Sequence, residues 1–300
     1  MSDRPPRLSI GLPVYNGERY VGEAIDSILG QAYGDFELVV SDNASTDGTR
    51  EICESYARRD PRVRFLRQPV NLGASANFNE VLSRARAPRF KWACADDRLA
   101  AGFLESGMRE MDACPSVVLC YGQTTMIDDD GRPLGPSPQG LDLREDDVAE
   151  RFRLARERSG YLNVLQGILR TDVLRETAQF GAYPGADEAL VVELTLRGPF
   201  HEIEAPMLFR RFHAEAASAG TTLAARQDHL DPSSRGRLSL WHWRHAAEHV
   251  KAIGRAPLPL REKARLLGVV AKGMVRQRYQ HRRELQDAIA HLARRLKPRL

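Results

Sequence analysis

Apolar positions in the first 125 residues alternate between strand and helix periods. Leu8-Ser9-Ile10-Gly11-Leu12 is a short apolar run closed by Pro13, the pattern of a buried strand. Val21, Ala24, Ile25, Ile28 and Leu29 then recur at helical spacing, with Glu18 near the start and Gly30 near the end. The same reading predicts strands over Glu37–Ser41, Val63–Leu66, Arg89–Ala95 and Val117–Tyr121. Between them it predicts helices over residues 48–59, 75–85 and 101–111. Alternation of this kind implies an α/β fold, a mostly parallel sheet flanked by helices. In such sheets ligands bind outside the carboxyl ends of the strands, so chemically active residues should follow each strand.

Beyond residue 125 the pattern loosens. Residues 128–140 are turn-rich and predict a hairpin or long loop, and residues 142–158 a charged helix. Residues 160–212 read as a second layer of helix and strand, with a helix over 187–197. After His213 the pattern is helical throughout, with candidates at 238–252, 260–275 and 276–296 and a break at Pro257 and Pro259.

Composition narrows the class. Apolar residues make up 42% of 300 residues, enough for a sizeable core, and no apolar stretch is long enough to span a membrane. The N-terminus lacks the apolar region of a signal peptide, and Cys53, Cys94, Cys114 and Cys120 show neither metal nor redox spacing. A cytoplasmic protein with reduced cysteines is the expectation. The net charge of +4 is unevenly spread: from Lys251 onward fourteen Lys/Arg face three acidic residues, whereas the first 250 residues carry 30 basic and 37 acidic groups.

Each strand end offers candidate chemistry. Pro13-Val14-Tyr15-Asn16-Gly17 follows the first strand and contains neither a dinucleotide fingerprint nor a P-loop, although a plain turn also accounts for it. Asp42-Asn43-Ala44-Ser45-Thr46-Asp47-Gly48-Thr49 follows the second. Its Ser45, Thr46 or Asp47 suits a helix cap, while Asp42 is placed to accept the N–H of a pyrimidine base. Asn71-Leu72-Gly73 follows the third strand, where polar side chains and helix N–H groups suit an anionic or hydroxyl-rich ligand. Asp96-Asp97 closes the fourth, and two adjacent buried carboxylates call for a cation such as Mg²⁺ or Mn²⁺.

These motifs, in this order and spacing, resemble family 2 glycosyltransferases of the GT-A (Rossmann-like) fold over roughly residues 7–213. The resemblance implies an inverting enzyme of class EC 2.4. It would move a sugar from a nucleotide diphosphate donor, a UDP-sugar first, to a saccharide, lipid-linked or small-molecule hydroxyl acceptor. It assigns Pro13, Tyr15 and Asp42 to the nucleoside, with Asn16, Asn71 and Asp96 also on the donor side. Asp97 and Asp96 become the metal ligands, Asp97 foremost, with His213 of Arg210-Arg211-Phe212-His213 near the diphosphate or metal. Gly185-Ala186-Asp187-Glu188-Ala189-Leu190 resembles the family's acidic motif and makes Asp187 the general base. Cys94 stands where many members carry an earlier acidic residue. Gln-x-x-Arg-Trp is absent, so a single transfer per encounter is expected.

The expected division is a GT-A domain over 1–215 and a basic helical extension over 216–300. Within the first, 1–125 binds the nucleotide, and 126–215 lies on the acceptor side with Tyr161, Asn163 and Gln166 as lining candidates. Three readings of the basic tail compete: a helical bundle packed on the body, a peripheral membrane contact, and nucleic-acid binding, which no motif supports. Trp241-His242-Trp243 is assigned to packing. Two rival functions remain open, a non-catalytic nucleotide-sugar-binding protein and a sugar-phosphate nucleotidyltransferase, the latter disfavoured by the loop after strand one.

Overall fold

The computed structural model describes residues 4–137, 141, 143–158, 162–213, 223–234 and 240–296. The predicted elements form close to their predicted bounds, because apolar period and terminating residues agree. Strand β1 (Leu8–Val14) is buried along its whole length, and so is β2 (Phe36–Asp42). Helix α1 (Val21–Leu29) buries Val21, Ala24, Ile25 and Ile28 on one face and stops at Gly30, whose N–H bonds to the Asp26 carbonyl. Helix α2 (Thr49–Arg59), β3 (Val63–Arg67), α3 (Ala74–Ser83), β4 (Arg89–Trp92), β5 (Arg98–Leu99), α4 (Phe103–Ala113) and β6 (Leu119–Ile127) follow.

Among the described residues, eight strands make one sheet in the order β3-β2-β1-β4-β8-β6-β9-β5, with β8 at Ile168–Arg170 and β9 at Phe200–Arg211, and a ninth strand joins it off this path. The β3-β2-β1-β4 half is parallel. The second half is mixed: β8 runs antiparallel to both β4 and β6, and β9 runs parallel to β6. The turn-rich segment is a hairpin, β7 (Pro133–Pro136) pairing antiparallel with β6.

The structure departs from the sequence reading in three places. Strand β4 ends at Trp92, three residues early, although the Ala93 N–H still bonds to the Gly11 carbonyl before the chain turns at Cys94–Asp97. The charged helix α5 (Val148–Arg158) starts late because Asp147 Oδ1 accepts the Ala149 N–H at 2.9 Å. β6 runs on to Ile127 because β9 supplies a partner along it, which no local signal announces.

Helices α6 (Thr171–Arg175), α7 (Ala186–Leu194) and α8 (Leu223–Leu230) lie on the second half of the chain, and α8 was not foreseen. Of the last three, α9 (Trp241–Arg255) and α10 (Leu260–Arg276) share the main core, where Ile253, Leu266 and Val270 cluster with Phe152 and Leu190, and α11 (Arg278–Leu296) packs on α9 and α10. Arg255 donates twice to the buried Glu193 of α7, at 3.0 and 2.9 Å. His242 and Trp243 bond to Glu284 and the His281 carbonyl of α11, so the Trp-His-Trp motif does pin the tail.

Candidate active site

The loops after β1, β3 and β4 converge with the start of α7 and the end of β9 around one cavity of about 900 Å³. Its lining includes Pro13, Tyr15, Asn71, Asp96, Asp97, Asp187 and His213, seven residues singled out from the sequence. Asn163 and Gln166 also line it, whereas Tyr161 lies outside the described residues. Asn16 and Asp42 are not in the lining. Asn16, with φ 50°, is a clasp: its N–H bonds to Ser45 Oγ and its Oδ1 accepts the Thr46 N–H, each at 2.9 Å. Asp42 is fully buried behind the β2 loop, where Oδ1 accepts the Ser45 N–H at 2.9 Å. Its Oδ2 has no hydrogen-bond partner and lies 3.8 Å from Arg67, so a polar ligand reaching it would be satisfying an orphaned acceptor.

Two asparagines that the sequence reading did not single out as binding residues hold these loops together. Asn43 donates to Asn71 Oδ1 at 2.9 Å and accepts the Leu72 N–H at 2.9 Å, tying the second loop to the third. Asn77, buried on α3, accepts from Ser41 Oγ at 2.6 Å and donates to the Ser41 carbonyl at 2.9 Å. Gly73 starts α3 with φ +85°, and a Cβ there would meet the Leu230 carbonyl at 2.5 Å, so glycine lets the α8 end close over this loop.

At the β4 end the two carboxylates differ. Asp96 is partly exposed, with Oδ2 3.2 Å from His213 Nε2. Asp97 is 6% exposed, and both its oxygens are held, Oδ1 by the Arg211 N–H and Oδ2 by Gln166 Nε2, each at 2.9 Å. Burial first, and Asp96 second, push the Asp97 carboxyl above the ordinary carboxylate range. The same two carboxylates, after burial itself, push the Cys94 thiol well up. Arg210 offsets part of this charge, while Arg211 and Lys91 are engaged elsewhere. Arg211 donates to the Asp96 carbonyl, and its guanidinium pairs with Glu23 at 2.5 Å. Lys91 is buried beneath the site and donates to the Gln166 carbonyl, and desolvation pushes its ammonium pKa down.

The donor atoms of Cys94, Asp96 and Asp97 all lie within 4.8 Å of one another. Two adjacent carboxylates at the rim of the cavity, their charge only partly offset, fit Mg²⁺ or Mn²⁺. Cys94 adds a softer donor to that set, and His213 stands beside Asp96 rather than inside the tight group.

Across the cavity Asp187 occupies the first turn of α7, its Oδ1 accepting the Glu188 N–H at 3.0 Å. Burial pushes its carboxyl up from the usual range, while backbone N–H groups, Arg226 and Arg210 pull the other way. Arg210, whose Nη1 donates to Asn163 at 2.6 Å, lowers the pKa of both Asp187 and Asp97 and so stands electrostatically between Asp187 and the carboxylate pair. Gly185 precedes Asp187 with φ +80°, and a Cβ on it would lie 2.2 Å from His245 Nε2 and 2.9 Å from Trp241 Nε1 of α9. Asp187 is therefore mounted on a turn that α9 touches, and Trp241 reaches the cavity.

Comparison with known proteins gives the family and the fold. The profile described as Glycosyl transferase family 2 matches residues 9–165, just over half of the chain. The chain belongs to glycosyltransferase family 2, and its sheet and flanking helices have the GT-A fold. Over 129 residues it is 33% identical to an uncharacterized glycosyltransferase of Haemophilus influenzae, covering 43% of this chain and 51% of that one. Over 227 residues it is 25% identical to the GalNAc(5)-diNAcBac-PP-undecaprenol beta-1,3-glucosyltransferase of Campylobacter jejuni, covering 75% and 71%. The chain spans about half the length of the first curated relatives it matches. Among solved structures, S. aureus TarS 1–349 in complex with UDP-GlcNAc superposes with a TM-score of 0.62 at 18% identity, covering 87% of this chain and 70% of that one. The mannosyltransferase PcManGT from Pyrobaculum calidifontis, in complex with GDP-Man and Mn²⁺, gives 0.53 at 17%, covering 97% and 76%.

Proposed function

We propose that this protein transfers a sugar from a nucleotide diphosphate donor, a UDP-sugar in the first instance, to a hydroxyl acceptor with inversion at the anomeric carbon. One observation carries the reading: the Asp96–Asp97 pair and Asp187 open onto the same cavity as Pro13, Tyr15 and Asn71. The nucleoside lies over Pro13 and Tyr15, within reach of the unpartnered Asp42 oxygen once the loop clasp adjusts. Asp97, Asp96 and the neighbouring Cys94 would hold Mn²⁺ or Mg²⁺, which when bound neutralises charge on the leaving diphosphate. Arg210 lies where it adds to that neutralisation. Asp187 takes the proton from the acceptor hydroxyl, whose oxygen bonds to the anomeric carbon. The bond from that carbon to the diphosphate oxygen breaks on the opposite face, and the nucleotide diphosphate leaves with the electron pair.

The transferase unit runs over residues 1–215, and residues 216–300 extend it toward the acceptor. A lipid-linked saccharide acceptor suits this chain, since the Campylobacter relative is by its name an enzyme acting on an undecaprenol-linked glycan. A peripheral contact with anionic lipid suits it as well. Leu260, Leu267 and Val275 are exposed at helical spacing on α10, flanked by Arg261, Lys263 and Lys272. No helix among the described residues is long and apolar enough to cross a membrane.

The direct test is Asp187→Asn assayed for release of nucleotide diphosphate from the preferred donor. The reading predicts a loss of turnover of about 10²–10⁴-fold with donor affinity retained. Full turnover in the variant removes Asp187 as base and favours the non-catalytic binding reading.

A further inference from the structure

The start of β9 lies away from the transferase cavity: His201 and Arg210 pair with Cys120 and Met126 of β6, six residues apart, about 20 Å at strand rise. There a second group of metal-ligating side chains meets. Glu110 and Cys114 stand one turn apart at the end of α4, where the Cys114 N–H closes the last turn on the Glu110 carbonyl at 3.0 Å. His201 is the second residue of β9, and its Nδ1 lies 2.6 Å from Glu110 Oε1. A carboxylate oxygen, a thiol sulfur and an imidazole nitrogen thus sit within 4.8 Å of one another, all three residues partly buried. Cys120, cross-strand partner of His201, is fully buried in the neighbouring strand.

Sulfur, nitrogen and oxygen donors drawn from two elements are the set that Zn²⁺ takes in tetrahedral sites. We propose that Glu110, Cys114 and His201 bind Zn²⁺, with water as fourth ligand, and that the ion clips the end of α4 to the start of β9. In a tetrahedral site with bonds of about 2.0–2.3 Å the donors stand about 3.3–3.7 Å apart, so the Glu110–His201 contact opens by about 1 Å on loading. On binding, the Cys114 thiol gives up its proton to solvent and the sulfur donates its electron pair to the ion. Burial first and the Glu110 carboxylate second push the Cys114 thiol up, and Arg144 offsets only part of this, so it is the ion that draws the proton off. The partial exposure of all three donors leaves a way in for the ion and its water.

The proposal does not depend on the transferase reading and is tested on the full chain with Co²⁺ and Zn²⁺ alone. Cobalt titration should give thiolate-to-metal absorption that saturates and is then removed by Zn²⁺. The absorption should be lost in Cys114→Ala, weakened at least tenfold in apparent affinity in His201→Ala, and kept in Cys94→Ala. Zn²⁺ should raise the Tm of the wild type but not of Cys114→Ala. If that variant does not fold, Glu110→Gln with Cys114→Ser carries the same test. Absence of the absorption in the wild type overturns the proposal, leaving a hydrogen-bonded triad. So does absorption that survives in the Cys114 variants and disappears in Cys94→Ala, which places the ion at the transferase site.

Discussion

Asp187 and Glu188 are neighbours with raised carboxyl pKa values, and burial is the first cause for each. For Asp187 this sets the pH dependence of transfer. The base must be ionised, so activity falls as pH drops through its raised pKa. The acidic limb of kcat/KM should therefore lie above the ordinary aspartate value of about 3.9. A limb at or below that value contradicts the account of Asp187. Glu188, pushed up to about 7 by burial and by Asp187, affects stability instead. It binds more protons folded than unfolded between its ordinary value and about 7, so its contribution is full at low pH and is lost as pH rises toward 7. Glu188→Gln should remove that loss. A gain of about 1 kcal/mol above pH 7, discounted for partial exposure, and little change at acid pH is expected in denaturant melts.

At the level of elements, the strand-then-motif order was legible because each buried strand ends in residues with a distinct chemical bias. Tyr15, Asn71, Asp96 and Asp97 follow strands whose apolar runs announce themselves, and the sheet brings their loops to one end. What the sequence did not yield is mostly non-local. Asn43 and Asn77 act by bridging loops, and isolated asparagines in a polar loop or helix carry no such signal. β5, a two-residue strand, exists only because β9 pairs with it. The burial of Asp42 follows from the β2 loop folding back to give it the Ser45 N–H. Gly185 could have been flagged as a helix-start glycine, but its closeness to His245 and Trp241 depends on α9 returning to the body. That packing gives an element-scale prediction. Gly185→Ala combines a left-handed backbone with a clash against α9, so it should cost about 2 kcal/mol or more and cut turnover by moving Asp187. Unchanged melting and turnover would show that α9 does not press on the turn.

Over the whole molecule, an acidic body carries a basic tail. The tail shares the body's core through Leu266 and Val270, yet it leaves Leu260, Leu267, Val275, Tyr279 and Ile289 exposed among arginines and lysines. Sedimentation with vesicles should show binding to anionic but not neutral lipid, weakened by salt and by Leu267→Glu with Val275→Glu. Equal partition onto neutral vesicles, or none onto anionic ones, argues for a tail that only packs. The central claim concerns the cavity, where donor loops, carboxylate pair and base meet. The measurement that tests it most directly is a thermal-shift panel of UDP, dTDP and GDP, each with and without Mn²⁺, on the wild type and Asp97→Ala. The account predicts stabilisation by one nucleotide, strongest for UDP, that requires the metal and disappears in Asp97→Ala. No shift with any nucleotide, or a shift indifferent to both metal and Asp97, would contradict it.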